Sequence, residues 1–299
     1  MAYNYTIIIP HYNGPTLLER LLKSIPNRKD IQTIVVDDCS SSDTINKLEV
    51  LKKQFTSVEF YSTRVNGGGG KARNIGISHA EGRYVIFADA DDFFTPEFDN
   101  ILSTYQDSKE YDIIFFNNTS VDSDTLQPSN RNNQLSYFFD LARKDSGKAM
   151  LAFRFIFGEP WCKIVRRSII EDNNIKFDET PIHNDTRYSY LVGYYGKKIK
   201  LDSRPGYCIT SRSNSVSKQI SDEKLLLRTN IFCKKMNFLK KNDIPLIDPL
   251  VFTSFTHAIR KGDLSLLRKN FEILKYFKYS KLSFLKDYLT YKRNGYFTS

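Results

Sequence analysis

The sequence is poor in cysteine and lacks any long hydrophobic run. Its four cysteines are scattered without CxxC spacing, at Cys39, Cys162, Cys208 and Cys233. This pattern argues for free thiols in a reducing compartment and against a zinc site or a disulfide framework. No window approaches 18 uncharged apolar residues, and the run Ile7–Ile9 ends at Pro10. We therefore expect neither a membrane span nor a secretory signal, and a cytoplasmic location.

Two common phosphate-binding motifs are also missing. No GxGxxG follows the first apolar run, so a dinucleotide-binding fold is not indicated. The glycines at 67–70 superficially suggest a P-loop, but Val65 and Ala72 stand where that motif needs Gly and Ser or Thr. Glycines such as Gly70 would still let a ligand approach the backbone, next to a helix start and to Arg73. A flexible loop is the alternative reading.

The positive charge of the chain is concentrated at one end. Residues 220–299 hold sixteen Lys or Arg against seven Asp or Glu, a net charge of +9 out of +10 for the whole chain. The segments 264–276 and 279–291 mix Leu, Phe and Tyr with Lys and Arg, which is typical of helices that bind an anionic membrane surface. The alternative is a helical subdomain that packs on the rest of the chain or on a second copy. No nucleic-acid-reading motif is recognisable, so nucleic acid is not an expected partner.

Strand and helix patterns alternate through the first half of the chain. This βαβ rhythm predicts a mostly parallel sheet with flanking helices, an α/β fold. The polar stretch 120–143 is predicted to be a loop, and the chain is predicted to be helical from Asp222 onward. The predicted strands are 5–9, 32–36, 58–62, 84–88, 112–116, 198–201 and 206–210, and the predicted helices are 15–25, 42–55, 71–79, 96–105, 148–157, 166–173 and 185–195.

Acidic residues follow two of the predicted strands. Asp89, Asp91 and Asp92 come after the apolar run that starts at Tyr84, and Asp37 and Asp38 end an earlier strand. Carboxylates packed this closely repel one another, and hard oxygen ligands suit Mg²⁺ or Mn²⁺. Ligands of open α/β sheets bind at the carboxyl ends of strands, which favours a metal or ligand site here. The alternative is an acidic turn that opens the helix near residue 96.

Taken together, these blocks resemble the family 2 glycosyltransferases of bacterial polysaccharide and glycolipid synthesis. The order and spacing match over residues 4–100, and a second set of blocks resembles the acceptor half of that family. The blocks that carry the resemblance are Ile7–Asn13, Ile34–Asp43, Gly67–Gly76, Asp89–Asp92, Trp161–Arg167, Asn174–Phe177 and His183–Asp185. The resemblance implies a GT-A fold, a nucleoside-diphosphate sugar as donor, a divalent metal and inversion of the anomeric centre.

The same resemblance implies roles for individual residues on the donor side. Asp38 would accept a hydrogen bond from the base, with Asp37 as the alternative, and Asp89 would lie near the ribose. Asp91 would bind Mn²⁺ or Mg²⁺, with Asp89 beside it. The remaining donor-binding residues implied by the resemblance, including a phosphate clamp at Arg212, are Pro10, Tyr12, Gly70, Arg73 and Arg212.

On the acceptor side, Asp185 occupies the family's general-base position. An exposed Asp has a pKa near 3.9, so it would be ionised without special tuning. The family usually has an acid just before this Asp, whereas here the residue is Asn184. The alternative reading is that Asp185 caps the helix that follows. Trp161, Glu159 and His183 are predicted acceptor contacts, although Trp161 fits a core position equally well.

The implied organisation is a catalytic region at 1–219, made of a nucleotide-sugar half (1–118) and an acceptor half (119–219), followed by a basic helical region at 220–299. The expected function is inverting transfer from a nucleoside-diphosphate sugar to a glycan or lipid-linked glycan, with UDP favoured by family frequency. The expected location is the cytoplasm or the inner face of the cell membrane. A non-catalytic sugar-nucleotide-binding or scaffold protein on the same fold is the alternative. The oligomeric state is left open.

Overall fold

A computed structural model describes residues 3–108, 110–131, 133–211 and 221–298 of the chain. The chain divides into two compact units, Met1–Ser213 and Asn214–Ser299.

The first unit is built on a single sheet. In its described residues, eight strands form this sheet in the order β3-β2-β1-β4-β7-β6-β8-β5. The strands are β1 (Tyr5–His11), β2 (Ile31–Asp37), β3 (Val58–Ser62), β4 (Tyr84–Phe87), β5 (Phe93–Phe94), β6 (Ile113–Asp122), β7 (Lys163–Arg166) and β8 (Ile199–Ser211). β1, β2, β3 and β4 are parallel neighbours, and β6 is parallel to β8. The short strand β7 runs antiparallel to β4 and β6, and β5 runs antiparallel to β8.

Helices cover this sheet, which confirms the predicted α/β architecture. Every residue of β2 and β4 is buried, as expected for strands covered on both faces. Helix α1 presents Leu18, Leu21 and Leu22 to the core because leucines at this spacing share one helical face. The helices are α1 (Pro15–Ser24), α2 (Ser42–Gln54), α3 (Gly68–Ser78), α4 (Glu97–Tyr105), α5 (Asn133–Lys144), α6 (Ser146–Phe155), α7 (Arg167–Asp172) and α8 (Thr186–Tyr195).

The middle of the chain differs from the prediction. The segment 120–143 was expected to be a loop, but β6 continues to Asp122 and α5 begins at Asn133. The polar residues of β6 are paired along β8, and α5 buries Leu135, Phe138 and Phe139 on one face. Local composition hid the end of β6 because its polar residues pair with β8, which is distant in sequence.

Two further differences concern the strands of this half. The helix predicted at 166–173 is present as α7, but the strand β7 that precedes it was not predicted. The two short strands predicted at 198–201 and 206–210 are one long strand, β8. Pro205 and Gly206 interrupt its pattern, and the structure accommodates them by register shifts opposite Asn117 on β6.

The second unit is helical, as predicted for the chain from Asp222. It comprises α9 (Asp222–Lys241), a short 3-10 helix (Pro249–Phe252), α10 (Thr253–Lys261), α11 (Leu264–Tyr276) and α12 (Lys281–Asn294). The side chains of Ser221, Asp263 and Ser280 accept hydrogen bonds from backbone N–H groups at three helix starts. Lys235 and Asp248 form a buried ion pair at 2.5 Å. No helix in the described parts of the chain is long and apolar enough to cross a membrane.

Candidate active site

Two cavities open at the carboxyl ends of the strands in the first unit, and Asp89 lines both. The first cavity, of about 490 Å³, lies beyond β1, β2 and β4. Six of the residues predicted to bind the donor or a metal line it: Pro10, Tyr12, Asp38, Arg73, Asp89 and Asp91. The second cavity, of about 300 Å³, is lined by Asp89 together with Glu159, Trp161 and Asp185. The structure therefore brings the predicted donor-side and acceptor-side residues to adjoining spaces.

Asp37, the predicted alternative to Asp38, does not line the first cavity. Its carboxylate lies 2.7 Å from Nδ1 of His11 and accepts hydrogen bonds from the backbone N–H and the hydroxyl of Ser40. Burial would raise the pKa of Asp37, but the hydrogen bonds from His11 and Ser40 outweigh it and lower that pKa. Asp37 thus braces the turn after β2.

In this turn Cys39 has a φ of 60° and an exposed side chain, whereas the other three cysteines are buried.

Asp38 lines the first cavity but also organises its wall. Its carboxylate accepts hydrogen bonds from the Thr63 hydroxyl at 2.9 Å and from the backbone N–H groups of Gly67 and Gly68, the shortest at 2.6 Å. Gly68 has a φ of +79°, a conformation that side chains other than glycine rarely adopt. The carboxylate of Asp38 therefore fixes the conformation of the glycine turn, which forms part of the cavity wall.

Gly70 has a different place from the one predicted. The glycines were expected to precede a helix, but α3 begins at Gly68 and includes Gly70. A Cβ built on Gly70 would lie 2.1 Å from the backbone oxygen of Asp178. Gly68 and Gly69 line the first cavity, whereas Gly70 lets α3 approach the loop before α8. The close approach at Gly70 is thus to the protein's own backbone rather than to a ligand.

Arg73 lines the first cavity and contacts Asp89, which lines both. The residue is 7% exposed, and its guanidinium donates to Oδ1 of Asp89 at 2.6 Å and to Oδ1 of Asn184 at 3.0 Å. It also lies 5.3 Å from the ring centroid of Phe177. A single side chain from α3 thus connects the acidic turn after β4 to the loop before α8. The neutral Asn184, which departs from the family pattern, is a hydrogen-bond acceptor in this bridge.

The acidic turn is anchored to β8 through its backbone and through Asp92. The carbonyl oxygen of Asp91 accepts from Arg20 at 2.6 Å and from the Thr210 hydroxyl at 2.9 Å. Asp92 is buried and accepts from the backbone N–H of Thr210 at 2.7 Å. Burial, together with the charge of Asp91, raises the pKa of Asp92 well above its ordinary value. Asp92 is therefore a structural carboxyl, and Asp91 is positioned by the backbone.

The first cavity provides few protein side chains that could bind a metal ion. Within the described ranges, no group of three or more His, Cys, Asp or Glu side chains is placed to hold a metal ion. Asp89 and Asp91 line the same cavity, and Oδ1 of Asp89 accepts a hydrogen bond from Arg73. One or two carboxylates completed by substrate phosphates are the usual protein ligands of Mg²⁺. The residues present fit a metal of that kind and no fully protein-bound metal site.

Asp185 precedes α8 at the helix N-cap position, but its side chain makes no capping hydrogen bond. The alternative that this carboxylate serves as a helix cap is therefore not supported. The side chain lines the second cavity and is partly accessible from it. Desolvation raises the pKa of Asp185, and the nearby positive charge of Arg73 opposes that shift. The expectation of an ordinary, untuned carboxyl was wrong, because protein surrounds this group closely enough to disfavour its charged form.

Comparison with known proteins places the chain in a family. The family model described as glycosyl transferase family 2 matches residues 6–173, more than half of the chain. The chain belongs to glycosyl transferase family 2. The predicted family membership is thereby confirmed.

Relatives of the chain in family 2 act on several kinds of acceptor. The poly(ribitol-phosphate) β-N-acetylglucosaminyltransferase TarS of Staphylococcus aureus is 27% identical over 179 residues, which are 58% of this chain and 30% of TarS. The cholesterol galactosyltransferase of Borreliella burgdorferi is 25% identical over 266 residues, covering 80% of this chain and 72% of that protein. The chain thus spans about a third of the length of TarS.

Solved structures with the same fold include both metal-bound and nucleotide-bound examples. TarS 1–349 in complex with UDP-GlcNAc superposes with a TM-score of 0.63 at 19% identity, covering 92% of this chain and 80% of that one. A mannosyltransferase from Pyrobaculum calidifontis in complex with GDP-Man and Mn²⁺ gives a TM-score of 0.54 at 15% identity, covering 97% and 81%. At these identities the likeness concerns the fold alone, and it confirms the predicted GT-A architecture of this family 2 chain.

Of the predicted acceptor contacts, Glu159 and Trp161 line the second cavity and His183 does not. Trp161 is 9% exposed and stacks on Tyr207, with ring centroids 5.8 Å apart and an angle of 18° between the planes. One face of the Trp161 ring is therefore covered by Tyr207. His183 is partly buried with a φ of 53°, and it shapes the loop that leads to Asp185. Arg212 lies outside the described residues.

Several residues that line the second cavity were not found by sequence reasoning, among them Asn118 and Arg131. Arg131 lies in the stretch 120–143 that was predicted to be a loop, and Asn118 lies between that stretch and the strand predicted at 112–116. The backbone N–H of Arg131 donates to the Ser120 hydroxyl at 3.1 Å, which ties this segment to β6. The only signal in the sequence was a cluster of asparagines after an apolar strand, which equally predicts a turn.

Proposed function

We propose that the chain transfers a sugar from a nucleoside-diphosphate sugar to a hydroxyl group of a glycan or lipid-linked glycan, with inversion at the anomeric carbon. The observation that carries this proposal is the arrangement around Asp89. One cavity holds the predicted nucleotide-binding residues, the adjoining one holds a carboxylate that caps no helix, and Asp89 lines both. A protein that only bound sugar nucleotides would not need Asp185 in that position.

The first cavity is the proposed site of the nucleoside diphosphate. Pro10 and Tyr12 line it, and the ring of Tyr12 is 56% exposed, so a base could stack there. We assign Asp38 to the base side in preference to Asp37, because Asp38 lines the first cavity and Asp37 does not. UDP is the proposed nucleotide, supported by family membership and by the TarS complex with UDP-GlcNAc.

Asp91, with Asp89 beside it, would hold a Mn²⁺ or Mg²⁺ ion together with phosphate oxygens of the donor. Such an ion would act as a Lewis acid that stabilises the negative charge of the departing diphosphate. Arg73 adds a fixed positive charge on the same side and orients Asp89 through the 2.6 Å hydrogen bond. Its hydrogen bond to Asn184 holds the loop before α8 close to the acidic turn that follows β4.

Asp185 is the proposed general base. Its carboxylate would accept the proton of the acceptor hydroxyl while the oxygen of that hydroxyl forms the new bond to the anomeric carbon. The bond between that carbon and the diphosphate breaks on the opposite face, and the configuration inverts. Because desolvation raises the pKa of Asp185, its carboxylate is a stronger base than that of an exposed Asp.

A thermal-shift panel of UDP, GDP, CDP and dTDP sugars, with and without Mn²⁺, tests the donor assignment. Binding to the native state stabilises it by about 2.7 kcal/mol at a hundredfold excess over Kd. We expect a metal-dependent shift with one nucleotide class, UDP, and its loss in Asp91→Asn. The absence of a shift with any sugar nucleotide would contradict the proposal. A shift without measurable transfer to any acceptor would instead favour the non-catalytic alternative.

The second unit is the proposed membrane contact, and residues 1–219 the catalytic region. On α12, Leu282, Leu285 and Leu289 are 78%, 52% and 58% exposed. Their spacing places them on one face of the helix, where Lys286 and Arg293 border the same shallow groove. Apolar side chains flanked by cations suit an anionic lipid surface, and the region 220–299 carries a net charge of +9. We propose docking on the inner leaflet of the cell membrane.

Vesicle sedimentation tests this contact separately from the chemistry. We expect the protein to bind vesicles that contain phosphatidylglycerol, to bind phosphatidylcholine vesicles weakly, and to be released by salt. Leu285→Ser and Lys286→Glu should each weaken binding, whereas Val50→Ser, which alters a 63% exposed side chain on α2, should not. Equal binding by all variants would contradict the assignment to α12, and a concentration-dependent dimer lost in Leu285→Ser would favour a contact between copies.

A further inference from the structure

Asn118 carries a buried amide with no hydrogen-bond partner among the residues that the structure describes. The residue is 2% exposed, and both Nδ2 and Oδ1 of its side chain are unpaired within that part of the chain. It lines the second cavity together with Asp89 and Asp185. Buried polar groups are nearly always hydrogen-bonded, so an amide with no protein partner at a cavity wall is a candidate contact for a ligand.

Local backbone geometry explains why this side chain lies on the cavity wall. Asn118 pairs with Tyr207 on β8, immediately after two register shifts in the β6–β8 ladder. Its backbone N–H donates to the Oδ1 of Asn117 at 2.9 Å, a local bond typical of an irregular strand. Irregularities of this kind redirect a side chain and are common beside active sites. The strand thus turns an amide inward at a position where an apolar residue would fold at lower cost.

We propose that Asn118 determines specificity for the transferred sugar, by binding two adjacent hydroxyl groups of its ring. An amide offers a hydrogen-bond donor and an acceptor side by side, and neighbouring sugar hydroxyls supply the complementary acceptor and donor. A cavity of about 300 Å³ lies at the lower end of the size range of ligand sites and suits one sugar unit. This inference rests on the proposed glycosyltransferase function.

The position of Asn118 favours the donor sugar over the acceptor. Asp89 lines both cavities, so a sugar attached to a diphosphate in the first cavity enters the second past Asp89. Asp185, the proposed base, lines the same space. The transferred sugar therefore lies between the leaving diphosphate and the base, where the orphaned amide can reach its hydroxyls.

The first test compares the affinities of UDP and of UDP-sugars for the wild type and Asn118→Ala by calorimetry. Loss of hydrogen bonds from a buried amide should weaken UDP-sugar binding roughly ten- to a hundredfold. UDP affinity should stay unchanged, because UDP alone does not fill the second cavity. A deoxy-sugar donor that lacks the contacted hydroxyl should bind the wild type and Asn118→Ala equally well.

Thermal stability provides a second readout that a structural role would not give. Asn74 is the matched control, since its amide donates to the Phe177 carbonyl at 3.0 Å and accepts from the Phe177 N–H at 2.9 Å. Asn74→Ala should lower the melting temperature, whereas Asn118→Ala should lower it less or not at all, since no hydrogen bond is lost.

The outcomes separate this inference from the proposed function. If the wild type binds UDP-sugars and Asn118→Ala binds them equally well, the inference is wrong and the proposed function stands. If only the acceptor KM rises in Asn118→Ala, the amide contacts the acceptor and the assignment to the donor sugar is overturned. If the wild type binds no sugar nucleotide, the proposed function fails and the inference falls with it.

Discussion

Replacing Asp185 with Asn should stop sugar transfer without unfolding the protein. The general base would be lost, and such groups contribute about 10²- to 10⁴-fold to rate. The carboxylate makes no capping hydrogen bond, and Asn is as good as Asp at a helix N-cap. The variant also removes a charge that desolvation disfavours. We therefore expect a change in unfolding free energy within about 0.5 kcal/mol of the wild type.

The assay measures kcat for transfer, together with the Kd for UDP-sugar by calorimetry. The donor affinity of Asp185→Asn should match the wild type, because a base acts on the acceptor hydroxyl. The matched control is Glu179→Gln, which neutralises an exposed carboxylate on the same loop and should leave both parameters unchanged. Transfer by Asp185→Asn at more than a tenth of the wild-type rate would refute the assignment of the base. A large loss of stability would refute the claim that its side chain has no structural role.

The pH dependence follows from the same carboxyl group. The base works only when ionised, so kcat should fall as the pH drops through the pKa of Asp185. Because desolvation raises that pKa, the fall should begin at a higher pH than for an exposed Asp, whose pKa is about 3.9. The charge of Arg73 lowers this pKa, so Arg73→Met should move the acid limb to still higher pH. The profile is measured at saturating donor, and an unmoved limb would show that another group titrates.

Two further predictions concern stability. Gly70→Ala should destabilise the first unit by about 1–3 kcal/mol, because the new Cβ would lie 2.1 Å from a backbone oxygen. The control is Gly147→Ala, whose Cβ would lie 3.5 Å from its nearest neighbour and which should be neutral or stabilising. Equal melting temperatures for the two variants would contradict the close packing of α3 at Gly70. Lys235→Met should lower the unfolding free energy of the second unit, measured with denaturant, by about 3–5 kcal/mol, because it leaves Asp248 buried without its cation. Arg268→Met, which removes one partner of an exposed ion pair, should lower it by less than about 1 kcal/mol. Similar losses in the two variants would show that the buried pair is not needed for stability.

Local patterns were enough to predict the strand ends that form the first cavity. Apolar runs that end in Asp37 and in Asp89 predicted both the parallel strands and the edge where their side chains meet, because each signal lies within a few residues. The bridge from Arg73 to Asn184 spans 111 positions, and no local pattern encodes it. The resemblance to the family gave Arg73 a role and marked Asn184 as a departure from the pattern, but it could not show that the two residues are in contact.

The residues of the second cavity were harder to predict for a related reason. Asn118 lies on β6, and its orientation depends on register shifts against β8, about ninety residues later in the chain. Polar residues at such a site lower the apparent strand signal, since strand propensity reflects packing against partners rather than the backbone alone. The part of the wall near Arg131 was therefore predicted to be a loop, and Asn118 was assigned to no element. The raised pKa of Asp185 was missed as well, because desolvation depends on the packed protein around it.

The uneven exposure of the cysteines gives the protein a ready attachment point for a spectroscopic probe. Cys39 is exposed in the turn after β2, one residue from Asp38 on the wall of the first cavity, while Cys162, Cys208 and Cys233 are buried. A thiol-reactive fluorophore should therefore modify the native wild-type chain at one position, without any engineered cysteine. Because this turn borders the proposed nucleotide site, its emission would report donor association and release in real time, turnover by turnover.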